Sequence, residues 1–516
     1  MKVSEFESAP TSERHPAYAA SMLYTTAPEW STGEVVLAAA YRGLLLGVRE
    51  SAIDLENISR VSDAIPAALG GRETWSRLLT ERGGIASPLR HGQYSPTASR
   101  QVMPLVPSVA RIAGVLGKRP RSRWNPSNLL LETIGAGLGS AAGRDLARML
   151  GAGLEVESND DVFARFIEQA LQQGLQATEP KPVGQAPFHS LELQDEHIRA
   201  FRFRSTSRLS PAERFCKDLP ALLSVKRALT RRQWTVLLEA ILRLGLGMHV
   251  LWTCNTNVTL WDMVLRVASG DTPPTRLEIE TELWEIPDET SALLEIGTNA
   301  EPLVRRLIER YAYARTGLNL LLCRLEDGGA PWADTAPLGS SLKGGSDAPA
   351  ALAAFLAHVH AHRQAIDATN AGHWLRTTVS DLFDKTRDLR DLATCDSGYT
   401  KNLFEFARHT LGQVEAKDPD QRCYDLAYLL AFSGKRKPQP VQPGPAMLVM
   451  LVHACCSANP SIPVSLDDFR HHLAEYGLHV PAGQLVDGKT GRDLAMLGLV
   501  VDSPDAAGGR LLVRPF

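Results

Sequence analysis

Residues 234–252, WTVLLEAILRLGLGMHVLW, decide how the chain is read. A run of about 19 apolar residues is long enough to cross a bilayer as a helix. Glu239, Arg243 and His249 interrupt this one, and burying three ionisable groups in lipid is costly. The stretch therefore reads as a buried helix in the core of a large soluble protein, with no membrane partner expected.

The rest of the composition agrees with a helical body. The chain has 516 residues, room for roughly two to four domains of ~100–200 residues each. Hydrophobic residues make up 44% and charged residues 22%, ordinary values for a chain that buries a core. Ala, Leu and Arg are abundant, which favours helix. The net charge of -3 excludes a polycation, so any nucleic-acid surface must be a local patch. The seven cysteines, at 216, 254, 323, 395, 423, 455 and 456, are odd in number and form no CxxC pair. That argues against a disulfide framework or a cysteine zinc site and for reduced thiols in a cytoplasmic protein. The N-terminus, MKVSEFESAPTSERH, lacks the apolar run of a signal peptide.

Two Gly/Pro-rich breaks, 177–187 and 328–349, divide the chain. The expected organisation is a polar segment at 1–33 and a helical domain at 34–176. A central mainly helical domain follows at 188–327, then a helical domain at 349–437 and a terminal module at 445–516. Helices are expected at 34–48, 100–116, 212–228, 230–252, 301–316, 349–366, 374–393, 400–413 and 422–432. In RLEIETELWEI (276–286), Leu and Ile alternate with Glu. Period two suggests a half-buried strand, although Glu and Leu also form helix well.

From Pro445 onward the signals come in a specific order. Residues 446–456 form an apolar helix, and Ser465-Leu466-Asp467-Asp468 resembles a capping box opening a helix to Tyr476. A third helix opens at Pro481 or Asp487 and runs to about Leu497. Leu499-Val500-Val501, a Pro/Gly-rich turn and Arg510-Leu511-Leu512-Val513 then read as a β-hairpin. Three helices followed by a hairpin resemble a winged-helix domain, over about 70 of the 516 residues. In that family the third helix usually enters the major groove of DNA. The resemblance thus implies DNA contact through Lys489, Thr490 and Arg492, with Arg510 and Arg514 near the wing. Residues 431–516 hold eight Lys/Arg against seven Asp/Glu. That balance suits a protein-binding winged helix equally well, since phosphate neutralisation drives duplex affinity.

A denser cationic segment lies upstream. Arg199 to Arg232 carries ten Lys/Arg and two acids. Within it, Arg199, Arg202, Arg204, Arg208, Arg231 and Arg232 are candidate nucleic-acid contacts. Phe201-Arg202-Phe203-Arg204 would, on a strand, put arginines on one face and rings on the other, a pattern that can hold phosphates and stack bases. The alternative is a solvated edge strand with its phenylalanines in the core. Lys118, Arg119, Arg121 and Arg123 form a smaller patch.

Candidate chemistry is sparse. In LLLETIGAGLGSAAGRDLARMLGAGLEVE (129–157), Gly137-x-Gly139-x-x-Ala142 with Glu155 and Glu157 downstream resembles the nucleotide turn of Rossmann-like folds. That resemblance implies an enzyme holding S-adenosylmethionine or a dinucleotide at Gly135–Gly139. The competing reading is a helical hairpin with small residues at a close crossing. His358 and His362, in HVHAHR, share a helix face at metal-binding spacing, but no HExxH or carboxylate accompanies them. An exposed histidine-bearing helix is the simpler reading, as it is for His471-His472. GxSxG and P-loop motifs are absent, which argues against a hydrolase elbow and an ATPase motor. No catalytic residue, cofactor or metal is assigned.

The long helical body ending in GLVVDSPDAAGGRLLVRPF resembles uncharacterised large subunits encoded with bacterial multi-gene phage-defence systems. The expected fold is mainly α, multi-domain, with a short β element and the winged-helix module. The expected function is a non-enzymatic subunit that binds DNA, other protein subunits, or both. The nucleotide-cofactor enzyme and a pure protein scaffold are the alternatives.

Overall fold

The computed structural model describes residues 1–19, 36–41, 44, 86–88, 102–108, 126–178, 209–283, 292–332, 348–413, 425–431, 439–458, 461–503 and 510–516. Over these residues the protein is mainly α. The expected basic segment at 199–208 and the patch at Lys118–Arg123 lie outside them.

The 234–252 run lies within a helix of 38 residues, Arg231–Ala268. Thr230 starts it with a capping box: Gln233 N donates to Thr230 Oγ1 (3.3 Å) and Thr230 N to the Gln233 side chain (3.0 Å), worth on the order of 1 kcal/mol. The helix is apolar on every side, the mark of an element wrapped by others. It alone among the described residues is long and apolar enough to cross a bilayer, and 94% of that window is buried inside the protein.

Among the described residues, the helices packed most extensively around it are Pro211–Ser224, Ala300–Asp327, Ala348–Ala361, Ala371–Lys385, Gly398–Leu411 and Pro445–Ser457. Small residues let them approach closely. A Cβ added at Gly245 would sit 2.3 Å from the Phe215 ring, and one at Gly317 would sit 2.4 Å from Trp261. The largest apolar cluster extends from Phe6 to Leu512, so segments far apart in sequence share one core. The charges expected within the run are accommodated inside the protein. Glu239 accepts from Leu37 N at 2.8 Å. Arg243 forks onto both carboxylate oxygens of Asp425 at 2.9 and 3.1 Å and also reaches the carbonyls of Thr410 and Gly412.

Several local expectations change. The polar lead-in at 1–33 is partly helical, Val3–Ser8 and Pro16–Ala19, and buries Phe6 and Tyr18. At the start of the expected helix at 100–116, Val102–Pro104 is instead a strand paired antiparallel with Ala86–Pro88; helical backbone begins at Pro107, and residues 109–116 lie outside the described residues. RLEIETEL is a helix, Arg276–Leu283, not a strand. Its Thr275–Glu278 capping box (2.7 and 3.3 Å) and an Arg276–Glu280 pair at 3.0 Å favour the 3.6-residue period over the two-residue one. Residues 425–431 are not helical. Leu430 bridges Gly412 in parallel and Val441 antiparallel, because Arg243 fixes Asp425 and the following backbone finds its partners across the chain.

Candidate functional site

The terminal module is built on its first helix, Pro445–Ser457, whose side chains are almost all buried against the body. Val464–Ser465 is extended and leads into Leu466–Glu475, which Ser465 and Asp468 open with a true capping box (2.8 and 3.1 Å). Gly477, at φ 81°, turns the chain into Leu478–His479, which pairs in parallel with Leu294–Glu295 of the body. The expected third helix is two pieces, Ala482–Val486 and Lys489–Met496, broken at Asp487-Gly488. Val500–Asp502 and Arg510–Leu512 form the antiparallel hairpin. Its return strand is also tied to the 464–465 segment, through a Ser465–Leu511 bridge and Leu512 N donating to Val464 O at 2.8 Å.

The module is fastened to the body by buried charge. Asp218, 1% exposed, lies on the helix Pro211–Ser224. Tyr476 Oη donates to its Oδ2 at 2.8 Å, and His472 Nε2 lies 3.0 Å from the same oxygen. Arg214, one turn away, pairs with Asp218 Oδ1 and reaches Glu475 at 3.1 Å. Burial pushes the Asp218 carboxyl up, but His472, Arg214 and the Tyr476 hydroxyl more than offset that and hold it below its ordinary range.

The expected nucleic-acid contacts fall into separate groups. Lys489 and Arg492 are exposed on one helix of the module; Arg492 also donates to Asp487 O at 2.9 Å. Thr490 is buried. Arg510 is half-buried and engaged, with Nε on Asp502 (3.1 Å) and Nη1 on Val486 O (2.7 Å). Arg232 is exposed on the first turn of the central helix, and no hydrogen bond among the described residues links it to the module.

Arg231 is 1% exposed. Its guanidinium donates to the carbonyls of Leu105 (3.2 Å), Gly153 (3.2 Å), Glu155 (3.0 Å) and Leu154 and to Tyr41 Oη (2.8 Å), while stacking over Trp234. All its donors serve the end of the helix Ser140–Leu154 and its neighbours, so Arg231 is not offered to a phosphate. Arg214 and Lys226 are likewise turned inward, Lys226 onto Glu157 (3.1 Å) and Glu155 O (3.0 Å). Much of the positive charge in the described part of 199–232 is thus neutralised inside the protein. Arg199, Arg202, Arg204 and Arg208 lie outside the described residues.

The sequence reading passed over the apolar part of the module's surface. Met496 is 78% exposed, Val501 50%, Leu497 40% and Val486 39%. They lie on the same helix pair and hairpin as Lys489, Arg492 and Arg510. The signal was present in Met496-Leu497, apolar at the end of a helix pair whose inward positions are already taken by Leu485 and Leu494.

The glycine-rich candidate takes a helical form. Pro126–Leu138 is a helix, Gly139 at φ 74° is a joint, and Ser140–Leu154 is the next helix. A nucleotide turn needs a strand before the glycines; here a helix precedes them. Gly137 instead lies against the helix Pro211–Ser224, where an added Cβ would sit 2.5 Å from Ala212 O. Glu157, the expected ribose carboxylate, is engaged with Lys226 and Arg227. The described cysteines are buried, and burial pushes Cys395 to about 11 and Cys323 to about 12, far from a neutral-pH thiolate nucleophile. Among the described residues no cluster of three or more His, Cys, Asp or Glu has metal-binding geometry.

No family model, curated protein or solved structure matches the chain.

Proposed function

We propose that this protein is a non-enzymatic scaffold subunit of a DNA-related assembly, with its C-terminal module acting as a winged-helix domain that docks a protein partner. The element order helix, short strand, helix, helix, hairpin, with the return strand lying between its hairpin mate and the 464–465 segment, supports the winged-helix reading. The observation that carries the choice of a protein partner is the surface of the third helix and hairpin. Among the described residues, Met496, Val501, Leu497 and Val486 are exposed there beside Lys489, Arg492 and Arg514 as outward cations, while Arg510 is half-buried and paired with Asp502. Duplex binding needs several unopposed cations, whereas protein interfaces bury apolar anchors within a polar rim.

The test is affinity purification from the native host with wild type and Met496→Glu/Val501→Glu. The expected result is a defined partner held by wild type in high salt and lost by the variant; retention by both overturns the reading. DNA contact is the second reading, favoured by Lys489 and Arg492 standing together at i,i+3. It predicts that Lys489→Ala/Arg492→Ala lowers the salt slope of DNA binding by about 2. Equal slopes, or no DNA binding by wild type, remove it. The likeness to subunits of phage-defence systems supplies a setting for either reading and no residue role.

A further inference from the structure

Arg510–Leu512 lies between Val500–Asp502 and the 464–465 segment, so Val500–Asp502 is the outer strand of that small sheet. Two hydrogen bonds fix which of its backbone groups face outward. Leu499, one step before the strand and opposite Val513, accepts from Val513 N at 2.8 Å. Leu512 N turns the other way, onto Val464 O at 2.8 Å. Hydrogen-bonded and non-hydrogen-bonded pairs alternate along an antiparallel ladder. Val501 therefore directs its N–H and C=O at Leu511, whereas those of Val500 and Asp502 point away from the hairpin. Among the described residues, no hydrogen bond reaches these outward groups. The strand carries neither proline nor lysine, the side chains that commonly block an open edge. Its one charge, Asp502, is held by Arg510 at 3.1 Å. The outward face is apolar as well. Residues opposite one another share a face, so Val501, 50% exposed, stands beside half-buried Leu511, while Val500 and Leu512 pack on the core.

We propose that Val500–Asp502 takes up an extended segment of a protein partner as a further strand, by backbone pairing. Donors and acceptors alternating at strand spacing are matched by another extended backbone. A partner helix cannot supply them, because its own backbone groups are bonded within the helix. The side chain that the incoming strand sets beside Val501 is apolar, β-branched or aromatic, and extends the row that Leu511 and Val501 begin. Resting on the module's role as a protein-docking domain, this pairing specifies that the docked segment of the partner is a strand.

The experiment compares the full chain with Val500→Pro for binding the partner recovered from the native host. The Val500 N–H is not used in the hairpin, and proline is tolerated on an edge strand whose N–H faces solvent. The variant should therefore keep the wild-type melting temperature while its affinity for the partner falls at least about tenfold. A second measurement needs no variant. Hydrogen exchange at the Val500 and Asp502 amides of the wild type should slow at least about tenfold when the partner binds, with the Val501 amide, already in the ladder, little changed. Equal affinity in a folded Val500→Pro, or unslowed exchange at the two amides, overturns strand addition. If Met496→Glu/Val501→Glu still loses the partner in that case, the docking reading stands without it. If no partner is sensitive to Met496→Glu/Val501→Glu, both fall.

Discussion

Tyr476 donates its hydroxyl hydrogen to Asp218 Oδ2 at 2.8 Å, across 258 residues of chain. With Arg214 and His472 on the same carboxylate, this contact holds the second helix of the terminal module against the body. The carboxylate is out of water, so its value lies in being fully partnered. Remove the charge and Arg214 is left buried with Glu475 alone among these partners.

Asp218→Ala should therefore destabilise the protein by roughly 3–5 kcal/mol, the usual cost of breaking a buried pair, with Asp218→Asn milder. The pH dependence has a definite sign. The folded-state value is held below the ordinary 3.8, so the stabilisation is complete above that pH and fades as pH falls through the folded value. Urea unfolding of wild type and Asp218→Asn between about pH 3 and pH 6 checks this. The gap should be widest at pH 6 and shrink toward acid; a constant gap counts against the buried-charge account.

Glu239 has the opposite sign. Burial pushes its carboxyl up to about 7, despite the nearby Arg243 and the amide of Leu37. The folded protein then holds a proton that the unfolded chain has already released, so stability is lost as pH rises from 4.5 through about 7. Glu239→Gln keeps an oxygen for Leu37 N and removes that cost. Its stability relative to wild type should improve between pH 5 and pH 8, by up to about 3 kcal/mol. Denaturant midpoints at the two pH values measure it, and no change in the difference would refute it.

Gly137 distinguishes a packing motif from a nucleotide loop. With Ala212 O 2.5 Å and Cys216 Sγ 2.6 Å from any added Cβ, Gly137→Val should cost at least about 1–3 kcal/mol through overpacking. Thermal unfolding reads this directly. The same assay with S-adenosylmethionine or a dinucleotide at millimolar concentration should show no shift in the wild type, since a ligand that binds only the folded state raises its midpoint. A clear shift would revive the cofactor reading.

The helices were legible wherever a cap and a long apolar period coincide, as at Thr230, Ser465 and the runs that follow them. Element order in the last 70 residues was legible for the same reason. RLEIETEL was ambiguous because alternating Leu and Glu satisfy both periods; the Thr275–Glu278 box, four residues long, was the deciding clue. Residues 425–431 could not be read as extended, because what holds them is Arg243, more than 180 positions away.

The candidate site divides in the same way. Local patterning in the chain dictated that the protein is helical, that the 234–252 run is buried, and where most helices of the terminal module begin. Only the folded arrangement decided which charges face water. Arg199 to Arg232 is rich in cations by count, yet Arg214, Lys226 and Arg231 point inward, each matched by carboxylates or carbonyls from other segments. A one-dimensional tally records charge but not its neighbours, and the free energy of a buried ion depends on those neighbours.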